Sequence, residues 1–229
     1  MINFRNITKI YQVGAKSIVA LNNVSFTVNP REFVSIVGRS GAGKTTLLKL
    51  FLAEEKPSSG NIIFENHDVH QIKPHYLPNF RRDIGVVFQD YKLLPSKTTY
   101  ENIAYVLEVM GASDADIAND VMKVLDLVGL VDRAQSFPEE LSGGEKQRAA
   151  IARALVHQPK VILADEPTGN LDLYHTKDII RLLIKINEMG TTVVLATHNQ
   201  DIINSLEKRV ITLEEGKIIR DEERGRFTL

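Results

Sequence analysis

The chain has 229 residues, 43% of them hydrophobic and 25% charged, with a formal net charge of -1. That is enough apolar material for one large domain or two lobes sharing a core, and the near-neutral balance argues against a nucleic-acid binder, which normally carries a basic excess. Cysteine is absent, so disulfides, thiolate-bound metals and thiol chemistry are excluded.

The first thirty residues alternate apolar and polar. Ile2, Phe4 and Ile7, then Ala20, Leu21, Val24, Phe26 and Val28, predict two antiparallel strands around a turn near Gly14. No signal-peptide core is present at the start. Phe33–Val37 is a continuous apolar run, as in a buried parallel strand. A loop over 38–43 and a helix over 44–52 follow. Short strands are expected at Asn61–Phe64 and Ile84–Phe88. From about Tyr100 to Val156 helical spacing takes over, as in Ile117, Val121, Val124, Leu125 and Val128. Strands return at Val161–Asp165, Thr192–Thr197 and Arg209–Leu213, with a helix over Lys177–Met189. Residues 210–213 and 217–220 predict a closing hairpin through Glu215-Gly216. The longest apolar runs are strand-length, far below the roughly 18 residues of a membrane span. Direct membrane insertion is therefore not expected. The pattern is an α/β core interrupted by a helical insertion.

Three motifs carry chemistry. Gly38-Arg39-Ser40-Gly41-Ala42-Gly43-Lys44-Thr45 fits G-x-x-x-x-G-K-[ST] between a predicted strand and a predicted helix. Glycines let backbone N–H groups converge on phosphate oxygens beside a helix N-terminus. Lys44 is placed to neutralise the β- and γ-phosphates, and Thr45 to offer its hydroxyl to Mg²⁺. The apolar strand Val161–Ala164 ends in Asp165, suited to holding Mg²⁺ through water, and Glu166, suited to polarising an attacking water as general base. Leu141-Ser142-Gly143-Gly144-Glu145 opens a helix with a capping serine and two bare glycines, a second anion site. One nucleotide does not need two such sites from one chain, so the second is expected to meet ATP held by another copy.

In this order the motifs resemble the ATP-binding subunits of the ABC family, and the resemblance covers essentially the whole chain. It implies a P-loop (RecA-like) ATPase core with an N-terminal antiparallel β subdomain and an inserted helical subdomain. The core lobe is expected at about 1–89 and 158–229, the helical subdomain at about 90–157. It implies ATP with Mg²⁺ as cofactors and a homodimer in the ATP state. Tyr11 would stack on adenine, Thr46 would join the nucleotide contacts, and Gln89 would sense Mg²⁺ and report to a partner. His198 would contact the γ-phosphate. Asn170-Leu171-Asp172 would cross the dimer interface, although Asp172 also reads as a helix cap. Two departures stand out: Glu145 where many relatives carry glutamine, and Asn199 where aspartate is common.

Gly85–Pro95, Ser40–Leu50 and Gly216–Asp221 are similar to the family's bacterial cell-division branch. That implies an FtsX-like integral membrane partner controlling cell-wall hydrolases, and a peripheral place on the cytoplasmic face of the inner membrane at the division site. The motif DEPTGNLD (165–172) is shared with lipoprotein-release and macrolide-export ATPases, which supply the alternative function. Tyr91, Leu93, Leu94, Pro95 and Tyr100 read either as an anchor for the partner or as packing for the insertion. His67, His70 and His75 lack the carboxylate spacing of a metal site, and 220–226 reads as a solvated, charged tail.

Overall fold

A computed structural model describes residues 1–225. In chain order it contains β1 (Ile2–Val13), β2 (Lys16–Val28), β3 (Phe33–Val37), α1 (Lys44–Phe51), β4 (Ser59–Phe64), β5 (His67–Asp68), α2 (Leu77–Arg82) and β6 (Ile84–Phe88). Then come α3 (Thr99–Met110), α4 (Asp114–Val128), α5 (Gly143–Leu155), β7 (Val161–Asp165), α6 (Leu173–Glu188), β8 (Thr192–Thr197), α7 (Gln200–Leu206), β9 (Arg209–Glu214) and β10 (Lys217–Glu222). Two compact units result: Met1–Arg81 with Thr192 onward, and Arg82–Thr191. The end of the predicted charged tail, Arg226, lies outside the described residues.

The first unit contains two sheets. In one, the order is β2-β1-β4-β5, all antiparallel. The β1–β2 hairpin closes between Val13 and Lys16, with Gly14 at φ 61 supplying the left-handed turn residue. Its alternating side chains Ile2, Phe4, Ile7, Leu21, Val24, Phe26 and Val28 are buried. Phe4 stacks on Phe26 at 4.4 Å, and Phe51 of α1 meets Phe64 edge-on at 5.5 Å. In the other sheet β3 runs parallel to both β8 and β9, and β9 turns back antiparallel into β10. Every residue of β3 and β8 is buried, which explains why both read as unbroken apolar runs.

In the second unit β6 and β7 pair in parallel, Phe88 opposite Asp165. Gly85 has no room for a side chain, since a Cβ there would lie 2.2 Å from the Ala154 carbonyl oxygen of α5. Helix α3 begins with a Thr98–Glu101 capping box, and α4 is capped by Ser113. Each ends on a left-handed glycine, Gly111 or Gly129. Ile117, Val121, Leu125 and Val128 form the buried stripe of α4.

Strands β3, β6, β7 and β8 fall on the residues expected of them. Helix α6 starts at Leu173, four residues before the expected Lys177, because Asp172 caps it while its apolar stripe begins only at Thr176 and Ile179. Short helices α2 and α7 were not foreseen. Each is below the length at which periodicity can be read, and α7 is capped by Asn199. No described helix is long and apolar enough to cross a membrane.

Candidate nucleotide-binding site

In the first unit β3 and β8 run side by side with Val37 opposite Thr197. The loop Gly38–Gly43 and His198 therefore leave neighbouring carboxyl ends of a parallel sheet, the usual place for a ligand in such folds. The glycines are sterically required. At Gly38 a Cβ would sit 2.3 Å from the Leu213 carbonyl oxygen, and at Gly43, with φ 104, it would sit 2.6 Å from the Ala20 carbonyl oxygen. Gly43 caps α1 without any side-chain bond, so no cap residue competes for the helix N-terminus. Lys44 is buried, and its Nζ donates to the Gly38 oxygen at 2.9 Å and the Arg39 oxygen at 3.3 Å. Its charge is thus folded back over the loop. Arg39, Ser40, Gly41 and Thr45 are exposed, Ala42 is buried, and Thr46 is half-buried. These are the features of an anion cradle: bare backbone, a cation and a helix start.

Tyr11 on β1 is held beside α1. Its hydroxyl donates to Glu55 Oε2 at 2.6 Å, Lys9 Nζ lies 4.8 Å from its ring centroid, and Lys9 pairs with Glu55 at 3.1 Å. Burial, then the Glu55 bond, raises the Tyr11 hydroxyl pKa, while a bond with Thr46 opposes the rise. The Glu55 carboxyl is pulled below its ordinary range, chiefly by the Tyr11 hydrogen bond. Asn199, the departure noted beside His198, caps α7 by accepting from Ile202 N at 3.2 Å. Asparagine and aspartate cap about equally well, so the change is structurally neutral.

In the second unit, Gln89 and Glu166 leave the ends of β6 and β7 one residue beyond the paired Phe88 and Asp165. Both Asp165 and Glu166 are half-buried, and Glu166 adopts φ 47. A left-handed, non-glycine residue costs on the order of 1–3 kcal/mol and persists only where its surroundings enforce it.

Helix α5 opens with a full capping box. Ser142 Oγ accepts from Glu145 N at 3.3 Å, and Glu145 Oε2 accepts from Ser142 N at 2.7 Å. That backbone bond is the main reason the Glu145 carboxyl titrates below its ordinary range. Glu145 also pairs with Arg133 at 3.1 Å. The glutamate is thus a functional cap, and the glycines after Ser142 keep their place.

The Asp172 cap of α6 was expected, and several other links in this unit were not. Gln89 Nε2 donates to Asn170 Oδ1 at 3.2 Å, and Asn170 Nδ2 donates back to the Gln89 carbonyl at 3.1 Å. Gly169 permits this, because a Cβ there would lie 2.7 Å from Gln89 Nε2. Asp172 caps α6 through His175 N at 2.9 Å and also meets His175 Nδ1 at 2.8 Å. Its carboxyl is held low, first by the His175 backbone bond. Buried Asn102 accepts from Leu94 N at 2.7 Å and donates to the carbonyls of Leu94, Lys97 and Thr98. Arg153 donates to the carbonyls of Tyr91 and Lys92. Sequence spacing gives no hint of the Asn102, Arg153 and Gln89–Asn170 pairings, since the partners lie 4 to 8 residues apart in the first case and 61 to 81 in the others.

A family model described as ABC transporter matches residues 21–169. The chain belongs to the ABC transporter family and is an ATPase of that type. It is 50% identical to the cell division ATP-binding protein FtsE of Bacillus subtilis (strain 168), over 99% of this chain and 98% of that one. With the FtsE protein of Escherichia coli (strain K12) it shares 46% identity over 95% and 97% of the two chains. Among solved structures, the ATP-binding cassette MJ0796, a dimer bound to ADP and Pi in a post-hydrolysis state, matches with a TM-score of 0.89. Identity to it is 38% over 99% of this chain and 100% of that one. The cbiO1 protein from Clostridium perfringens, part of the ABC transporter complex cbiONQ, matches with the same TM-score at 31% identity, over 97% and 88%. The cassette architecture expected from the motifs is therefore the architecture found.

Proposed function

We propose that this chain is the ATPase subunit of a bacterial cell-division complex, acting as a homodimer in the ATP state and driving an FtsX-like integral membrane protein. The observation that supports this most is the near-full-length similarity to proteins named FtsE. The chain would sit peripherally on the cytoplasmic face of the inner membrane, at the division site, through that partner. The division into a core lobe of about 1–89 with 158–229 and a helical subdomain of about 90–157 belongs to the same reading, the lobe hydrolysing and the subdomain transmitting.

Each residue has a task in this scheme. Backbone N–H groups of Gly38–Gly43 and the Lys44 ammonium bind the β- and γ-phosphates, and Tyr11 stacks on adenine through the ring face opposite Lys9. Mg²⁺, when bound, screens phosphate charge and fixes the phosphate oxygens. Thr45, Asp165 (through water) and Gln89 are the residues that would hold it, a hydroxyl, carboxylate and amide set suited to a hard cation. Glu166 takes the proton of the attacking water, and its constrained backbone limits where the carboxylate can point. His198 contacts the γ-phosphate and helps hold it in line. Ser142, Gly143 and Gly144 offer the start of α5 to the γ-phosphate of ATP bound by the second copy, and Asp172 takes part from the adjoining loop.

The segment after Gln89 is the part proposed to meet the membrane partner. Asn102 and Arg153 hold its backbone from opposite ends, so its shape does not depend on its apolar side chains being buried. Leu94 is 38% exposed. The test is to replace Tyr91 and Leu94 with serine and isolate the chain from bacterial membranes. A folded, ATP-hydrolysing double variant that has lost an FtsX-like partner supports the reading. Retention of the partner rejects the interface, and recovery of a transporter-type permease instead rejects the cell-division assignment.

A further inference from the structure

Helix α6 begins Asp172-Leu173-Tyr174-His175, and Asp172 alone suffices to cap it by accepting from His175 N. The His175 side chain is not needed for that. A basic side chain at the third helical position also gains nothing from the helix dipole, which favours acids there. Yet the ring is fixed on two sides. Its Nδ1 lies 2.8 Å from Asp172 Oδ2, so a single residue engages both carboxylate oxygens. A carboxylate is acceptor-only, which makes Nδ1 the donor. The ring also covers Gly144: a Cβ on that buried glycine would lie 2.4 Å from His175 Cδ2 and 3.0 Å from its Cγ. Glycine at 144 and the imidazole at 175 therefore fit each other. Tyr174 stands edge-on to the ring at 5.5 Å.

On the far side of this contact the first turn of α5 is closed by the Ser142–Glu145 capping box. The turn is thus held by its own cap on one side and by a residue of α6 on the other. Gly143 is approached similarly, since a Cβ there would lie 3.3 Å from both Leu171 Cδ2 and the Tyr91 hydroxyl. The loop after Glu166 and the anion site of α5 come from distant sequence, and His175 is a polar side chain that touches both.

We propose that His175 is a positioning residue: by holding Asp172 and packing on Gly144, it makes the 170–172 loop and the Ser142–Gly144 anion site move as one piece. A displacement of Asp172 on dimer formation is then passed to the glycines that meet the second copy's ATP. This rests on the proposed role of Ser142–Gly144. In the proposed scheme Lys44, and not His175, binds the phosphates, so affinity and turnover separate.

The test compares His175→Ala, His175→Leu and His175→Gln, with Ser142→Ala alongside. Steady-state ATPase should show kcat falling about 10-fold or more in His175→Ala with KM nearly unchanged, as expected when aligned groups shift without loss of binding contacts. His175→Leu keeps bulk over Gly144 but loses the donor, and should match Ala. His175→Gln keeps a donor and most of the length, and should recover most of the rate. Hydrogen exchange on the nucleotide-free chain gives a second readout: amides of 143–146 and 170–173 should exchange faster in Ala and Leu, and not in Gln. If Ala does not fold, Leu against Gln carries the comparison. Parent-like kcat in His175→Ala while Ser142→Ala is impaired overturns the proposal, as does unchanged exchange or a Gln variant no better than Leu. Parent-like turnover in Ser142→Ala instead overturns the role of the anion site, and the exchange data then decide the link by themselves.

Discussion

The phosphate loop and the α5 anion site are both glycine-lined helix starts, and they are built differently. In the first, the backbone carries the geometry: Gly38 and Gly43 lie against the carbonyls of Leu213 and Ala20, and Lys44 folds back on the loop's own oxygens. In the second, side chains do the work: Glu145 and Ser142 cap each other locally, His175 of α6 covers Gly144, and Asn170 clasps Gln89. A loop braced mainly by backbone carbonyls depends little on the side chains of its neighbours. A site held by side chains from separate segments can respond when one of them moves. The first arrangement suits holding a nucleotide, the second suits reporting on it.

The largest effect should come from the backbone-built site. Lys44→Ala removes a buried cation over the loop and should cost about 2–5 kcal/mol of nucleotide binding, the range for losing one member of a desolvated charge pair. Titration with a fluorescent ATP analogue checks this, and near-parent affinity would refute the phosphate-loop role.

A smaller effect is expected where side chains hold the backbone. Asn102→Ala strands the polar groups of Leu94, Lys97 and Thr98, and should lower unfolding stability by about 2–3 kcal/mol, the cost of leaving buried partners unmet. Nucleotide affinity should be unchanged, because Lys44 is untouched. Denaturant melts and ATP titration on the same sample separate the two.

Glu145→Gln should do least. Glutamine still accepts from Ser142 N, so the capping box survives, and only the exposed pair with Arg133 is lost, worth under about 1 kcal/mol. The Glu145 carboxyl titrates below its ordinary range in the fold. Its contribution is therefore present above the unfolded pKa and lost as pH falls through the folded one. The parent and the variant should differ slightly at neutral pH and converge in acid, as thermal melts across pH would show.

The same contrast explains what the sequence revealed. The phosphate loop was legible because its chemistry is local: eight consecutive residues between a strand and a helix state both the steric demand and the charge. The place of Asp165 and Glu166 at a strand end was legible because an apolar strand ran into them. The Ser142 cap was readable, but its closure by Glu145 was passed over as a departure from glutamine. Asn170 with Gln89, Arg153 with Tyr91, and His175 with Gly144 were hidden because tertiary packing alone brings those segments together. The early start of α6 was signalled by the Asp172 cap alone, because Leu173 and Tyr174, 69% and 72% exposed, lie off its buried stripe. The two short helices left no period to detect.

In the proposed dimer, ATP is held by one chain and completed by the second anion site of another. Glu166→Gln tests it most directly, since it preserves shape and removes the base. Light scattering of this variant with saturating Mg-ATP, read beside phosphate release, should show a stable dimer that forms only with ATP and releases essentially no phosphate. A protein that stays monomeric under those conditions would contradict the claim.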